Sequence, residues 1–336
     1  MELFNNNSDF FNLAYDAHQR GEYAKALALL RRGAACYSGR KACYAWLGSY
    51  YHKGYGIERD LYQAMCWYEM AMNESPRSDK SSWIVERYNA LKALNPTPKP
   101  MPTVVNDYLI GRIELSRTAP KNDFKVQFTD NSLKIIYNEA LLFDMPIIWA
   151  WRRIQERFVK YDEDNLPEVI DEHFSRIYDH FELRIERGKG ERYSHRNEGK
   201  CYTLIIPATA RCEELVTRKA ILNHSMRLMR KEAQSYLERR CREISEKTGL
   251  RYTKFKLGAG TDLLGYYAEC GEMTISWQTI KYPHIYTDSV IYHELSHSLQ
   301  LDHSTRFYDA LFRYGGEEIY RADRDIFKKN KVSNSI

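Results

Sequence analysis

The sequence predicts two architectures in one chain, an all-α helical-repeat region followed by an α+β region. Three observations predict this. Through the first ninety residues, apolar and small side chains recur at helical spacing around glycine-bearing turns. The stretch "LNPTPKPMPTVVND" (94–107), with prolines at 96, 98, 100 and 102, then stiffens the chain and forbids helix. Beyond it, strand-like alternation and long helical patterns are mixed.

In chain order, "LAYDAHQRGEYAKALALLRRGAA" reads as two helices joined at Arg20-Gly21. "AWLGSYYHKGYGIERDLYQAMCWYEMAM" repeats the plan with a longer turn through Gly54 and Gly56. Overlaying Leu13-Ala14 on Leu47-Gly48, and Ala26 on Ala64, gives offsets of 34 and 38 residues, a helical-hairpin repeat period. The second unit resembles a Sel1-like repeat, a relative of the tetratricopeptide repeat, at Leu47, Gly48, Tyr51, Gly54, Gly56, Asp60, Ala64, Trp67, Tyr68 and Ala71. The first unit is looser and more tetratricopeptide-like, and "SSWIVERYNALKAL" reads as a capping helix. The resemblance implies a concave surface for a protein partner; structural support is the other reading of so short an array. The organisation predicted is repeats over 1–94, a proline-rich linker over 95–106, an α+β domain over 107–318 and a solvated basic tail over 319–336.

Within the α+β region, "FKVQFTDNSLKIIYN" alternates around a turn and predicts a hairpin. "PIIWAWRRIQERFVKY" predicts an amphipathic helix, and "FELRIERGKGERYSHRNEGKCYTLIIPA" further strands. A long helix over 213–248 should end at Gly249, followed by a turn and a strand, "MTISWQT" (273–279). If one edge of that strand is free, an extended peptide can pair with it; the other reading is an interior strand with both edges used.

Composition excludes several classes. Hydrophobic residues at 43% and charged residues at 28% are globular values. No apolar run approaches the ~20 residues that span a bilayer, and the N-terminus lacks the pattern of a secretory signal. Seven cysteines, scattered and never spaced C-x-x-C, argue against a disulfide framework or a cysteine zinc site. The expected compartment is the cytoplasm. A net charge of +5, from 50 basic against 45 acidic residues, gives only weak support for a nucleic-acid partner.

The chemistry concentrates in "VIYHELSHSLQLDHSTRFYDAL" (290–311). His293-Glu294-Leu295-Ser296-His297 is H-E-x-x-H, which on a helix puts two imidazoles on one face with a glutamate beside them. Val290, Ile291, Leu295 and Leu299 supply the expected buried face. His303 stands where the chain turns back, as a third ligand to a catalytic zinc should. Ser304 is a candidate cap for the next helix, and Gly315-Gly316 a candidate end to it. Tyr266, Tyr267, His284 and Arg306 are candidate oxyanion donors. Cys270 reads as a small buried thiol, and His52, His195 and His224 as isolated histidines.

Residues 266–311 resemble the core of the YgjP-like zinc metallopeptidases, relatives of the SprT-type and WLM peptidases. Cys270, Gly271, Trp277, Pro283 and His293 fall at the family's spacing, as do His303, Ser304 and Phe307. Tyr267-Ala268-Glu269 and Tyr308 depart from the pattern, which bears on specificity more than on metal binding. The resemblance spans about 106–318, most closely from 229 onward. It implies a zincin-like metallopeptidase domain in which His293, His297 and His303 bind Zn2+ and Glu294 is the general base for hydrolysis of a protein or peptide substrate. The repeats would recruit a partner or control access. Two other readings stay open: a zinc-binding adaptor or scaffold, and an SprT-like peptidase acting on DNA-associated proteins.

Overall fold

The computed structural model describes residues 9–36, 40–74, 82–117, 124–138, 142–154, 172–259 and 263–333, with backbone alone at 82 and 327–333. The chain forms two compact units, residues 1–171 with 210–222, and residues 172–209 with 223–336.

The first unit opens with α1 (Phe10–Gln19), α2 (Tyr23–Ala35), α3 (Arg40–Lys53), α4 (Leu61–Asn73) and α5 (Ser82–Ala93), each packed on the next. Two helices approach closely where a small residue faces a large one. A Cβ on Gly48 of α3 would stand 2.7 Å from the Tyr68 ring of α4, so only glycine leaves room for that ring. Asp60 caps α4, accepting from the Gln63 N–H at 3.0 Å.

Residues 95–102 have no regular structure, as the prolines demand, but the compact units do not divide there. A sheet of order β1-β2-β4-β3 follows, from β1 (Val104–Asp107), β2 (Gly111–Arg117), β3 (Lys125–Phe128) and β4 (Leu133–Tyr137). β3 and β4 are the expected hairpin. This sheet and α6 (Met145–Ile154) belong to the helical unit. The fastening is Arg31 of α2, which donates to Asp107 Oδ2 at 2.9 Å and to Asp144 Oδ1 at 2.8 Å. All three side chains are at most 4% exposed, so each charge depends on the others for solvation. The remainder of the helix expected to Tyr161 lies outside the described residues.

The second unit contains a sheet of order β5-β6-β8-β7, built from β5 (Ser175–Ile177), β6 (Glu182–Arg187), β7 (Ser194–Glu198) and β8 (Cys201–Ile206). The long helix α7 (Leu215–Thr248), counted with the first unit as far as Leu222 and with the second from Asn223, ends as expected before Gly249, whose φ is +77°. A second sheet, of order β10-β11-β9, comprises β9 (Lys254–Gly258), β10 (Gly265–Tyr267) and β11 (Glu272–Ser276). Here the expected strand over 273–279 is corrected in length. It stops at Ser276, and Trp277–Lys281 is a 3-10 turn. Hydroxyl chemistry overrides β-propensity: Ser276 Oγ accepts from the Gln278 N–H at 3.2 Å, and Thr279 Oγ1 donates to the Ser276 carbonyl at 2.9 Å. Of the two readings open for this strand, a free edge or an interior position, the structure shows the second: β11 is paired on both sides and offers no edge to a peptide.

α8 (His284–Ser296) packs on β10 and β11, and α9 (Thr305–Ser333) packs on α8. Gly316, at φ +81° and ψ 179°, breaks α9 where an end was expected. The chain nevertheless resumes as helix, so residues 319–333 are not a loose tail. Ile319, Ala322 and Ile326 are buried there, an apolar stripe that holds the segment in the fold.

Candidate metal centre

α8 carries the H-E-x-x-H residues, and its own fixings set their positions. At its first turn, the His284 N–H donates to Asp179 Oδ2 at 2.8 Å, supplying the acceptor a helix N-terminus lacks. One turn later Asp288 takes a two-pronged contact from Arg240 of α7, at 2.8 and 2.7 Å. Val290, Ile291 and Leu295 are buried as expected, whereas Leu299, 55% exposed, lies past the helix end and leaves the buried face.

His293, His297 and His303 converge, with one nitrogen from each lying within 4.8 Å of the others. His293 Nε2 and His303 Nε2 are 2.9 Å apart. Tetrahedral N-ligation at 2.0–2.1 Å needs nitrogens about 3.3 Å apart. That spacing lies between this 2.9 Å contact and the 4.8 Å limit of the triad, so small side-chain adjustments would let the three donors hold a zinc-sized ion. The outer nitrogens carry fixed partners. His293 Nδ1–H donates to Asp323 Oδ1 at 2.8 Å, and His297 Nδ1–H donates to the Gln300 carbonyl at 3.0 Å. Those bonds leave each Nε2 lone pair facing the centre, as a metal ligand requires. The Phe307 ring closes one side, its centroid 4.5–4.9 Å from the three imidazoles. Asp302 Oδ1 accepts from the Ser304 N–H at 3.1 Å, so an aspartate rather than the serine hydroxyl sets the turn into α9.

Burial lowers His297 to about 4 and also lowers His303, which keeps these rings neutral near pH 7. Glu294, 5% exposed, is pushed up to about 8 by burial and, secondly, by the Asp323 carboxylate. A neighbouring cation favours the ionised form again. β10 comes within touching distance of this glutamate: a Cβ on Gly265 would overlap Glu294 Oε1.

Asp323 and Gly265 are the residues that sequence reasoning missed. A signal for Asp323 existed, since Ile319, Ala322 and Ile326 mark one helical face and Asp323 shares it. Gly265 left none, because its close approach is set by folding alone. Among the candidate oxyanion donors, Tyr267 Oη donates to the Arg251 carbonyl at 2.9 Å, and His284 Nδ1 lies 3.0 Å from Asp179. Both are committed elsewhere. Arg306 is exposed, and Tyr266, beside Gly265, is 59% exposed. Cys270, expected to be buried, is exposed in the β10–β11 turn. His195 is exposed, His52 is partly buried, and His224 stacks on Tyr193.

Three imidazoles stand on and just after one helix with a buried glutamate beside them, a group that could hold a metal ion. The family described as YgjP-like, metallopeptidase domain, matches residues 160–329, half of the chain. The chain belongs to that family. No curated protein and no solved structure matches it.

Proposed function

We propose that the chain is a zinc-dependent peptidase with a zincin-like catalytic domain, in which His293, His297 and His303 hold the metal and Glu294 is the general base. The observation that carries this is the convergence of three imidazoles, two of them anchored through their outer nitrogens, beside a buried carboxylate. Zinc bound there would acidify a water to near neutral pH and polarise the scissile carbonyl. Glu294 would take the proton of that water and deliver it to the leaving amine. Asp323 would hold the His293 ring in one tautomer. Among the described residues β10 is an edge strand of its sheet, and its Gly265 lies against Glu294, which supports an extended peptide pairing along β10 rather than β11.

Glu294 separates this reading from a zinc-binding scaffold, because a structural ion needs no base. Glu294→Gln is expected to retain stoichiometric zinc while peptide-library cleavage, read by mass spectrometry, falls 10²–10⁴-fold. Equal cleavage by both proteins, or no zinc in folded, metal-supplied wild type, would remove the reading. In this account the repeats recruit a protein or control access in a cytoplasmic enzyme. No described helix is long and apolar enough to cross a membrane.

A further inference from the structure

α1, α3 and α5 contribute one face each to a cavity of about 280 Å³ in the first unit. His18, Trp46, Tyr50 and Tyr55 form an aromatic wall, the His18 ring lying 5.1, 5.7 and 5.2 Å from the three others. A hydrogen bond of 3.0 Å between His18 Nδ1 and Tyr50 Oη links α1 to α3 within that wall. Trp83 and Arg87 of α5 stand in the same lining, and Trp83 is 38% exposed, so the cavity opens to solvent.

Arg87 is the informative residue. Its Nη1 donates to Ser49 Oγ at 3.2 Å, and its guanidinium lies 4.8 Å from the Trp83 ring centroid. Those contacts hold it in place but do not neutralise it. Among the described residues it makes no ion pair, and no acidic residue lines the cavity. Lys53 and Arg59 add positive charge around the adjoining His52. An aromatic cage alone would suit a cation. An unneutralised arginine in the same cavity repels one and instead suits a carboxylate, with which it can make charge-assisted hydrogen bonds.

We propose that this cavity is a binding site for a peptide carboxylate next to a bulky apolar side chain, with Arg87 taking the carboxylate and the aromatic wall the side chain. The carboxylate comes from either of two sources, the C-terminus of a chain or an Asp or Glu side chain. The site lies in the helical unit and does not depend on the metal centre.

Three probes distinguish the possibilities by calorimetry on the full chain carrying Glu294→Gln, so that peptide is not consumed. They are a pentapeptide ending in Leu-Phe with a free carboxylate, the same peptide amidated, and an amidated pentapeptide with internal Asp-Phe. At least one carboxylate probe is expected to bind about ten-fold more tightly than the plain amide, and Arg87→Gln to abolish that difference. Preference for the first probe assigns a chain end, and for the third an acidic side chain. Equal affinity for all three, no binding at millimolar peptide, or an unchanged preference in Arg87→Gln would overturn the proposal. If the glutamine variant fails to fold, the acid-versus-amide comparison on the Arg87 protein decides alone.

Discussion

A histidine binds a cation through one nitrogen, so the partner of its other nitrogen decides tautomer and aim. At His293 that partner is Asp323, 1% exposed and contributed by a segment whose composition looks like a solvated end. Asp323→Asn keeps the shape and removes the charge. On the proposed metal-site reading it should weaken zinc binding 10–100-fold by chelator competition, with the far-UV circular dichroism unchanged. An unaltered affinity would mean that Asp323 only packs. At this scale the sequence was highly legible for the histidines and Glu294, because H-E-x-x-H is local and helix geometry converts spacing into a shared face. It was less legible for Asp323, thirty residues from His293, whose burial depends on how α9 docks.

Elements carry the next level of constraint. β10 approaches α8 so closely that any side chain at Gly265 must displace the Glu294 carboxylate. Gly265→Ala is therefore expected to lower peptide turnover at least ten-fold while zinc content stays at wild-type level; an unaffected rate would show that Glu294 can yield without cost. In the other unit Arg31 ties α2 to the end of β1 and the start of α6. Arg31→Leu leaves two buried aspartates without a counter-charge and should cost about 3–5 kcal/mol in urea unfolding. Adding Asp107→Asn and Asp144→Asn should recover part of that loss. The helices and the β3–β4 hairpin were legible because periodicity and turn residues are local signals. The short strand over 272–276 was misjudged in length because two hydroxyls, Ser276 and Thr279, turn the backbone into a 3-10 bend.

For the whole molecule, a bound metal is a source of stability, since a ligand held only by the native state favours it by mass action. Removing zinc by dialysis against chelator should lower the melting temperature in calorimetry, and restoring zinc should recover it. Free zinc at a thousand times its dissociation constant contributes about 4 kcal/mol. No shift on chelation would count against a resident ion. The effect of pH has a definite sign. Unfolded histidine takes up a proton near pH 6.5, but buried His297 does so only at about 4. Its contribution to the stability of the metal-free chain is thus present above that window and lost as pH falls through it. Protons also compete with the metal later than at an ordinary histidine, so zinc should be retained at pH 6 and released towards pH 4, as read by metal analysis of dialysed protein.

The amino-acid order by itself determined that the chain is helical first and mixed α/β afterwards, and that three histidines and a glutamate lie within eleven positions. Those are short-range facts, written in periodicity and spacing. Only the tertiary structure decided that the first sheet and α6 join the helical unit, that β11 is flanked on both sides while β10 lies at an edge of the described sheet, that Asp323 backs His293, and that Arg87 stands beside an aromatic wall with no ion pair among the described residues. Each depends on residues far apart in the chain being brought together. Burial then changes their energetics, because charge and hydrogen bonding count for much more once water is excluded.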